Sequence, residues 1–108
     1  LSTGSLENSN SNANYEFFSL SDEFMLSNII DQIKPNWVFH LSALPRIQPS
    51  FDDPILHDEN NVRNTLKLIN ALKNRNIGSF VNSSSSSVYG NPLNFPTNEF
   101  EPVVTKSP

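Results

Sequence analysis

The chain has 108 residues, 36% of them hydrophobic with eight Phe, which suits one small domain or part of a larger one and excludes a compositionally disordered segment. Its formal net charge of -4 argues against a general nucleic-acid binder, whose phosphate contacts need basic patches. It has no cysteine and no apolar run of the roughly 18 to 20 residues that span a membrane; disulfides, thiolate metal centres and thiol catalysis are excluded, and a cytoplasmic setting is expected.

Leu1 to Asn14 is polar and turn-rich, and reads as a loop. Its first residues, Leu1-Ser2-Thr3-Gly4, have no signal-peptide pattern and read as the interior of a longer sequence, as does Ser107-Pro108. The chain is therefore expected to be a fragment. Tyr15-Glu16-Phe17-Phe18 is short, aromatic and bounded by polar residues, which predicts a strand. Ser21 or Asp22 can cap the helix that follows, where Phe24, Leu26, Ile29, Ile30 and Ile33 fall at helical spacing. Pro35 ends it, because the residue before a proline avoids the helical region.

Trp37-Val38-Phe39-His40-Leu41 is a near-continuous apolar run and predicts a strand buried on both faces, as in parallel sheets. Pro45, Pro49 and Pro54 restrict the next stretch to loop or a short turn. From Ile55 to Asn74 the apolar spacing is helical, with Lys67, Lys73 and Arg75 loading the C-terminal half with cations that suit the helix dipole, and Asn76 or Gly78 as the stop. Phe80-Val81 starts a further strand, which breaks into five serines, Ser83 to Ser87, and closes with Val88-Tyr89-Gly90. After Gly90 four prolines predict an irregular ordered loop. Strands alternating with helices imply an α/β fold: part of a Rossmann-type, doubly wound parallel sheet, about three strands and two main helices. Ligands of such sheets sit beyond the carboxyl ends of the strands, where the serine run lies.

Several chemistries fail on residue types. The only glycines are Gly4, Gly78 and Gly90, so no G-x-G-x-x-G turn exists to bring a backbone against a pyrophosphate; either no such site is formed or its first βαβ unit lies upstream of Leu1. No metal constellation surrounds His40 or His57, and His40 reads as a hydrogen-bonded core histidine. The G-x-S-x-G elbow of a hydrolase is absent, so a serine here reads as a donor to a substrate hydroxyl. Asn60-Asn61 lies within the long helix although Asn is a poor helix former; either it is a solvated face or one amide reaches out to fix a loop or cofactor.

Taken together, Val38-Phe39-His40-Leu41-Ser42-Ala43, Asp53-Pro54, Asn60-Asn61-Val62-Arg63-Asn64-Thr65, Ser83 to Gly90 and Ser107-Pro108 resemble the extended short-chain dehydrogenase/reductases, and within them the UDP-glucose and UDP-N-acetylglucosamine 4-epimerases. Leu1-Ser2-Thr3-Gly4 resembles the family's loop after the second strand. The resemblance covers nearly the whole chain and implies an NAD-binding Rossmann domain over 1–108, without the first βαβ unit or the substrate domain. It implies that Ser85, four residues before Tyr89, hydrogen-bonds the sugar hydroxyl being oxidised. It places Leu41, Ser42, Ala43, Ser83, Ser84 and Asn60 along NAD, Thr3 and Gly4 near the adenosine ribose, and Ser86 and Arg46 with Ser85 on the UDP-sugar side. It also implies hydride exchange between the sugar and NAD, assisted by the tyrosine of a Tyr-x-x-x-Lys pair. In the family that tyrosine directly follows Ser-Pro, so the 108-residue chain is expected to be inactive alone and to bind NAD weakly.

Two departures qualify the resemblance. The segment Phe17 to Asp22 lacks the usual Asp-Ile of the adenine contact. Family dehydratases carry Asp-Glu where this chain has Ser86-Ser87, which favours an epimerase. A dehydratase or keto-sugar reductase of the same family, or a non-catalytic dinucleotide-fold module, are the alternatives. Family members commonly dimerise through helices of this domain, so the resemblance is compatible with a homodimer through the helix carrying Asn60.

Overall fold

The computed structural model describes residues 5–105. The readings on Thr3, Gly4 and Ser107-Pro108 lie outside them. The polar N-terminal stretch is loop apart from one 3₁₀ turn, Leu6–Asn8, which Ser5 caps by accepting the Glu7 N–H. The Tyr15 hydroxyl accepts the Asn10 N–H at 2.6 Å and ties this stretch to the aromatic segment.

Helix α1 spans Glu23–Ile33. Asp22 caps it, accepting the Met25 N–H at 3.0 Å, and its carboxylate also suits the positive end of the helix dipole. It ends at Lys34, in the left-handed region (φ 48°) directly before Pro35. Strand β1, Trp37–His40, follows. A short helix α2, Gln48–Asp52, has Pro49 in its first turn, where the missing N–H costs nothing. Helix α3, Pro54–Asp58, is capped by Asp53 through the Leu56 N–H. A π turn, Glu59–Arg63, joins α3 to helix α4, Asn64–Leu72. The expected single helix is thus helical throughout, but widened at Asn60-Asn61. It ends at Leu72 with Asn74 left-handed (φ 64°), earlier than Asn76 or Gly78. Strand β2, Ser79–Asn82, completes the unit.

β1 and β2 pair in parallel, Trp37 opposite Ser79 and His40 opposite Asn82, with the helices as the connection between them: one βαβ unit. The expected strand at Tyr15–Phe18 is not formed. A strand exists only where a partner takes up its backbone groups, and among the described residues none lies beside it. The segment is still extended enough for Tyr15 and Phe17, two apart, to stack with ring centres 6.5 Å apart, while Phe18 packs toward the core.

That core lies on one face of the sheet. Leu26 and Ile30 of α1 meet Leu68 and Leu72 of α4, with Val38 and Phe80 of the two strands packed against them. Their spacings, four residues on each helix, are those of a single helix face. Arg75 locks α1 to the end of α4: Nε and Nη2 donate to the two Asp31 carboxylate oxygens at 2.8 and 2.9 Å, Nη2 also donates to Ser27 Oγ, and Nη1 bonds the Ala71 carbonyl. The opposite face is uncovered: Trp37 and Phe39 are 62% and 63% exposed. Burial on both faces, expected from the apolar run, is therefore met on one face only, because no described element packs on the other. The radius of gyration, 16.3 Å, exceeds the about 13 Å of a compact chain of this length.

Candidate functional site

The carboxyl ends of β1 and β2 open into a cavity of about 540 Å³. A parallel pair places both strand ends on one edge, so the segments leaving β1 (41–47) and β2 (83–90) become neighbours although about forty residues separate them in sequence. The Ser83 N–H donates to the His40 carbonyl at 3.0 Å and extends the ladder one step into the site.

The serine run does not continue as a strand. Ser86–Tyr89 forms a 3₁₀ turn capped by Ser85, whose Oγ accepts the Ser87 N–H at 3.2 Å. Ser85 itself is extended (φ -136°, ψ 147°) and solvent-exposed, and its own proton stays free for donation. Gly90 ends the turn with φ 59° and ψ -113°, a conformation that disfavours side chains. The long C-terminal loop returns to this turn, the Val104 N–H donating to the Val88 carbonyl at 2.8 Å.

On the β1 side, the long helix holds the loop. Asn61 accepts the Leu44 N–H at 2.7 Å through Oδ1 and donates through Nδ2 to the Leu44 carbonyl at 3.1 Å. Thr65 Oγ1 donates to the Asn61 carbonyl at 2.7 Å and lies 2.8 Å from His40 Nε2. The hydroxyl has one proton and gives it to the carbonyl, so Nε2–H of His40 is the donor to Thr65. His40 is 5% exposed and stacks on Phe80, a hydrogen-bonded core histidine as the sequence suggests. His57 is also buried, its Nδ1–H donating to the Asp53 carbonyl at 3.1 Å.

Of the residues singled out by sequence, Ser42, Ala43, Arg46, Ser83, Ser84 and Ser85 line one cavity. Arg46 adopts a left-handed backbone (φ 79°). Leu41 is 72% exposed and outside the lining, as are Ser86 and Asn60. Asn60 Nδ2 donates to the Leu56 carbonyl four residues earlier, a bond within its own helix. The amide that reaches across is the next one, Asn61. Its signal in the sequence was the pair of helix-poor asparagines. A uniform 3.6-residue periodicity could not show which of the two faces the loop, because the π turn, with the Asn64 N–H bonded to the Glu59 carbonyl, shifts the face. Leu44, Thr65 and Ser87 also line the site, although the sequence reading gives none of them a binding role.

The family model described as GDP-mannose 4,6 dehydratase matches residues 2–108. The chain belongs to this epimerase/dehydratase family of the extended short-chain dehydrogenase/reductases. Family members similar to it include the UDP-glucose 4-epimerase of Mycolicibacterium smegmatis, 36% identical over an alignment that takes in 100% of this chain and 36% of that protein. Among solved structures, the Thermotoga maritima UDP-glucose 4-epimerase with UDP-glucose superposes with a TM-score of 0.92 at 33% identity, covering 99% of this chain and 35% of that one. The Thermus thermophilus UDP-glucose 4-epimerase complex with NAD gives 0.90 at 27%, with 99% and 35% covered. The UDP-N-acetylglucosamine 4-epimerase of Methanobrevibacter ruminantium, in complex with UDP-N-acetylmuramic acid, gives 0.86 at 36%, with 99% and 35% covered. The chain thus spans about a third of the length of these relatives. The family places the βαβ unit in a Rossmann-type fold. No helix among the described residues is long and apolar enough to cross a membrane.

Proposed function

We propose that the chain supplies the strand-end site of an NAD-dependent nucleotide-sugar 4-epimerase acting on a UDP-sugar. The observation that carries this reading is the convergence of Ser83, Ser84 and Ser85 with Ser42, Ala43 and Arg46 at the carboxyl ends of two parallel strands. The residues fit part of a dinucleotide: hydroxyls and small side chains rim the cavity, and Ser42, Ala43, Ser83 and Ser84 would lie along it. The glycine-rich turn for the pyrophosphate is not in this sequence, so the fit covers one side of the cofactor only.

When bound, NAD supplies the acceptor and returning donor of hydride. This chain's contribution is orientation and a hydrogen bond. Ser85 Oγ already accepts the Ser87 N–H, which holds the oxygen and leaves its proton available for a substrate oxygen. Arg46 would offer a permanent cation to the diphosphate. Ser86-Ser87 offers no carboxyl group for elimination, which supports an epimerase over the dehydratase named by the family model. No Tyr-x-x-x-Lys pair occurs in this sequence, so the reading assigns the base for the sugar hydroxyl to no residue of this chain. Val62, Leu66 and Ile69, exposed along one side of the long helix, support a homodimer through that surface. The lack of cysteine supports a cytoplasmic setting.

The test is turnover of UDP-glucose and UDP-N-acetylglucosamine by a polypeptide of the relatives' length that carries this chain. Ser85→Ala should lower kcat there by roughly ten- to a thousandfold. An unchanged rate removes Ser85 from the mechanism, and measurable turnover by the 108-residue chain alone overturns the assignment of roles.

A further inference from the structure

We propose that Asn61 is a positioning residue, whose carboxamide clamps the backbone of Leu44 and so sets the path of the 41–47 segment along the rim of the strand-end cavity. The inference rests on the epimerase reading for the identity of the ligand, but the clamp itself stands on geometry.

One side chain satisfies both backbone groups of one residue, the N–H at 2.7 Å and the carbonyl at 3.1 Å. A primary amide presents an acceptor and a donor side by side, as a neighbouring strand's backbone would, so Asn61 substitutes for a ladder partner where the strand has already ended. The segment needs this. Past His40 it has, among the described residues, no strand partner beyond the bond from Ser83, and it runs through Pro45, which lacks an N–H, to Arg46 with its left-handed backbone. The clamp therefore falls between the small residues Ser42 and Ala43 on one side and Arg46 on the other.

The clamp is anchored in turn. The Asn61 carbonyl accepts from Thr65, and Thr65 accepts from His40, at the end of β1. The path from strand to helix to loop closes a ring through the cavity wall, so the loop's position relative to the serine run is set by three side chains rather than by chain stiffness. The π turn is the device that makes it possible: it turns Asn61 toward the loop and leaves Asn60 bonded within its own helix.

The experiment has two readouts. In the 108-residue chain, amide hydrogen exchange is followed by NMR at Leu44, with Gly78, whose N–H donates to the Asn36 carbonyl at 2.8 Å, as the reference for global opening. Asn61→Ala should speed exchange at Leu44 by roughly ten- to a hundredfold and leave Gly78 within about twofold. Asn61→Asp keeps an acceptor for the Leu44 N–H but sets an oxygen against the Leu44 carbonyl, so Leu44 should exchange more slowly than in Asn61→Ala and faster than in the parent. Equal acceleration at both amides shows a merely structural residue and overturns the proposal, as does an unchanged Leu44. In a polypeptide of the relatives' length carrying this chain, Asn61→Ala should raise KM for the UDP-sugar or weaken NAD binding by roughly tenfold while kcat falls less than about threefold. A fall in kcat alone overturns the positioning role. A parent polypeptide that turns over no UDP-sugar, with Leu44 still deprotected by Asn61→Ala, sinks the epimerase reading and leaves the clamp standing.

Discussion

The two faces of the sheet are built from neighbouring residues of the same two strands, yet they differ completely. Val38, His40 and Phe80 point at α1 and α4 and are covered; Trp37, Phe39 and Val81 alternate with them and face outward. In sequence the bare set is the more apolar, since the covered set contains His40. Hydrophobicity states how much a residue gains from burial, whereas the supply of something to bury it against is a property of the whole assembly. On the covered side His40 is bonded to Thr65, and Asp31 of α1 to Arg75. On the bare face Trp37 stacks on Phe39, ring centres 6.4 Å apart.

The largest effect expected from this contrast is on the covered face. Leu68 is 8% exposed and sits between α1 and the sheet, so Leu68→Ala should cost roughly 2–5 kcal/mol, read from urea unfolding of the chain. A loss below about 1 kcal/mol would show that this core is not packed as described. The matching change on the bare face, Phe39→Ala, should shift the stability of the 108-residue chain by about 0.5 kcal/mol or less, as surface changes do. In a polypeptide of the relatives' length the same substitution should cost roughly 3–5 kcal/mol, because a doubly wound sheet covers both faces. Equal values in the two settings would break the comparison.

The smallest effect concerns pH. The Arg75 guanidinium, donating to both Asp31 oxygens, holds this carboxyl below its ordinary value and raises Arg75 in turn. A carboxyl lowered in the folded state favours folding above its unfolded pKa and loses that contribution as pH falls through its folded value. Asp31→Asn should therefore lower Tm slightly at pH 7 and flatten the acid limb of the stability curve below pH about 4. An acid limb unchanged in slope would show that the pair does not contribute. Asp31 is exposed and Arg75 only half-buried, so the effect stays well below that of Leu68.

Much of the site was legible before any coordinates. The strand ends, the serine run and the order of the motifs led to Ser42, Ala43, Ser83, Ser84 and Ser85, which share one cavity. The strand-end rule pointed to the serine run as a place for a ligand, whereas the assignment of Ser42, Ala43, Ser83, Ser84 and Ser85 to it rests on the resemblance to the extended short-chain dehydrogenase/reductases. Asn60 against Asn61 was not legible, because one extra residue in a helical turn rotates every later side chain, and nothing local states where that residue is inserted. The strand expected at Tyr15–Phe18 failed for a related reason: its propensity is local, but its hydrogen bonds belong to a partner.

The sequence by itself determined the βαβ order, a cap for α1 at Ser21 or Asp22, the helical spacing of α1 and α4, and the break of β2 into serines. Each follows from the spacing of apolar residues or from a side chain bonding a backbone within four residues of it. Only the tertiary structure decided that one sheet face is covered and the other bare, that Asn61 holds Leu44, and that Arg75 ties two helices together. Those contacts join residues 17 to 48 positions apart, and no local spacing encodes which of several chemically suitable partners is within reach.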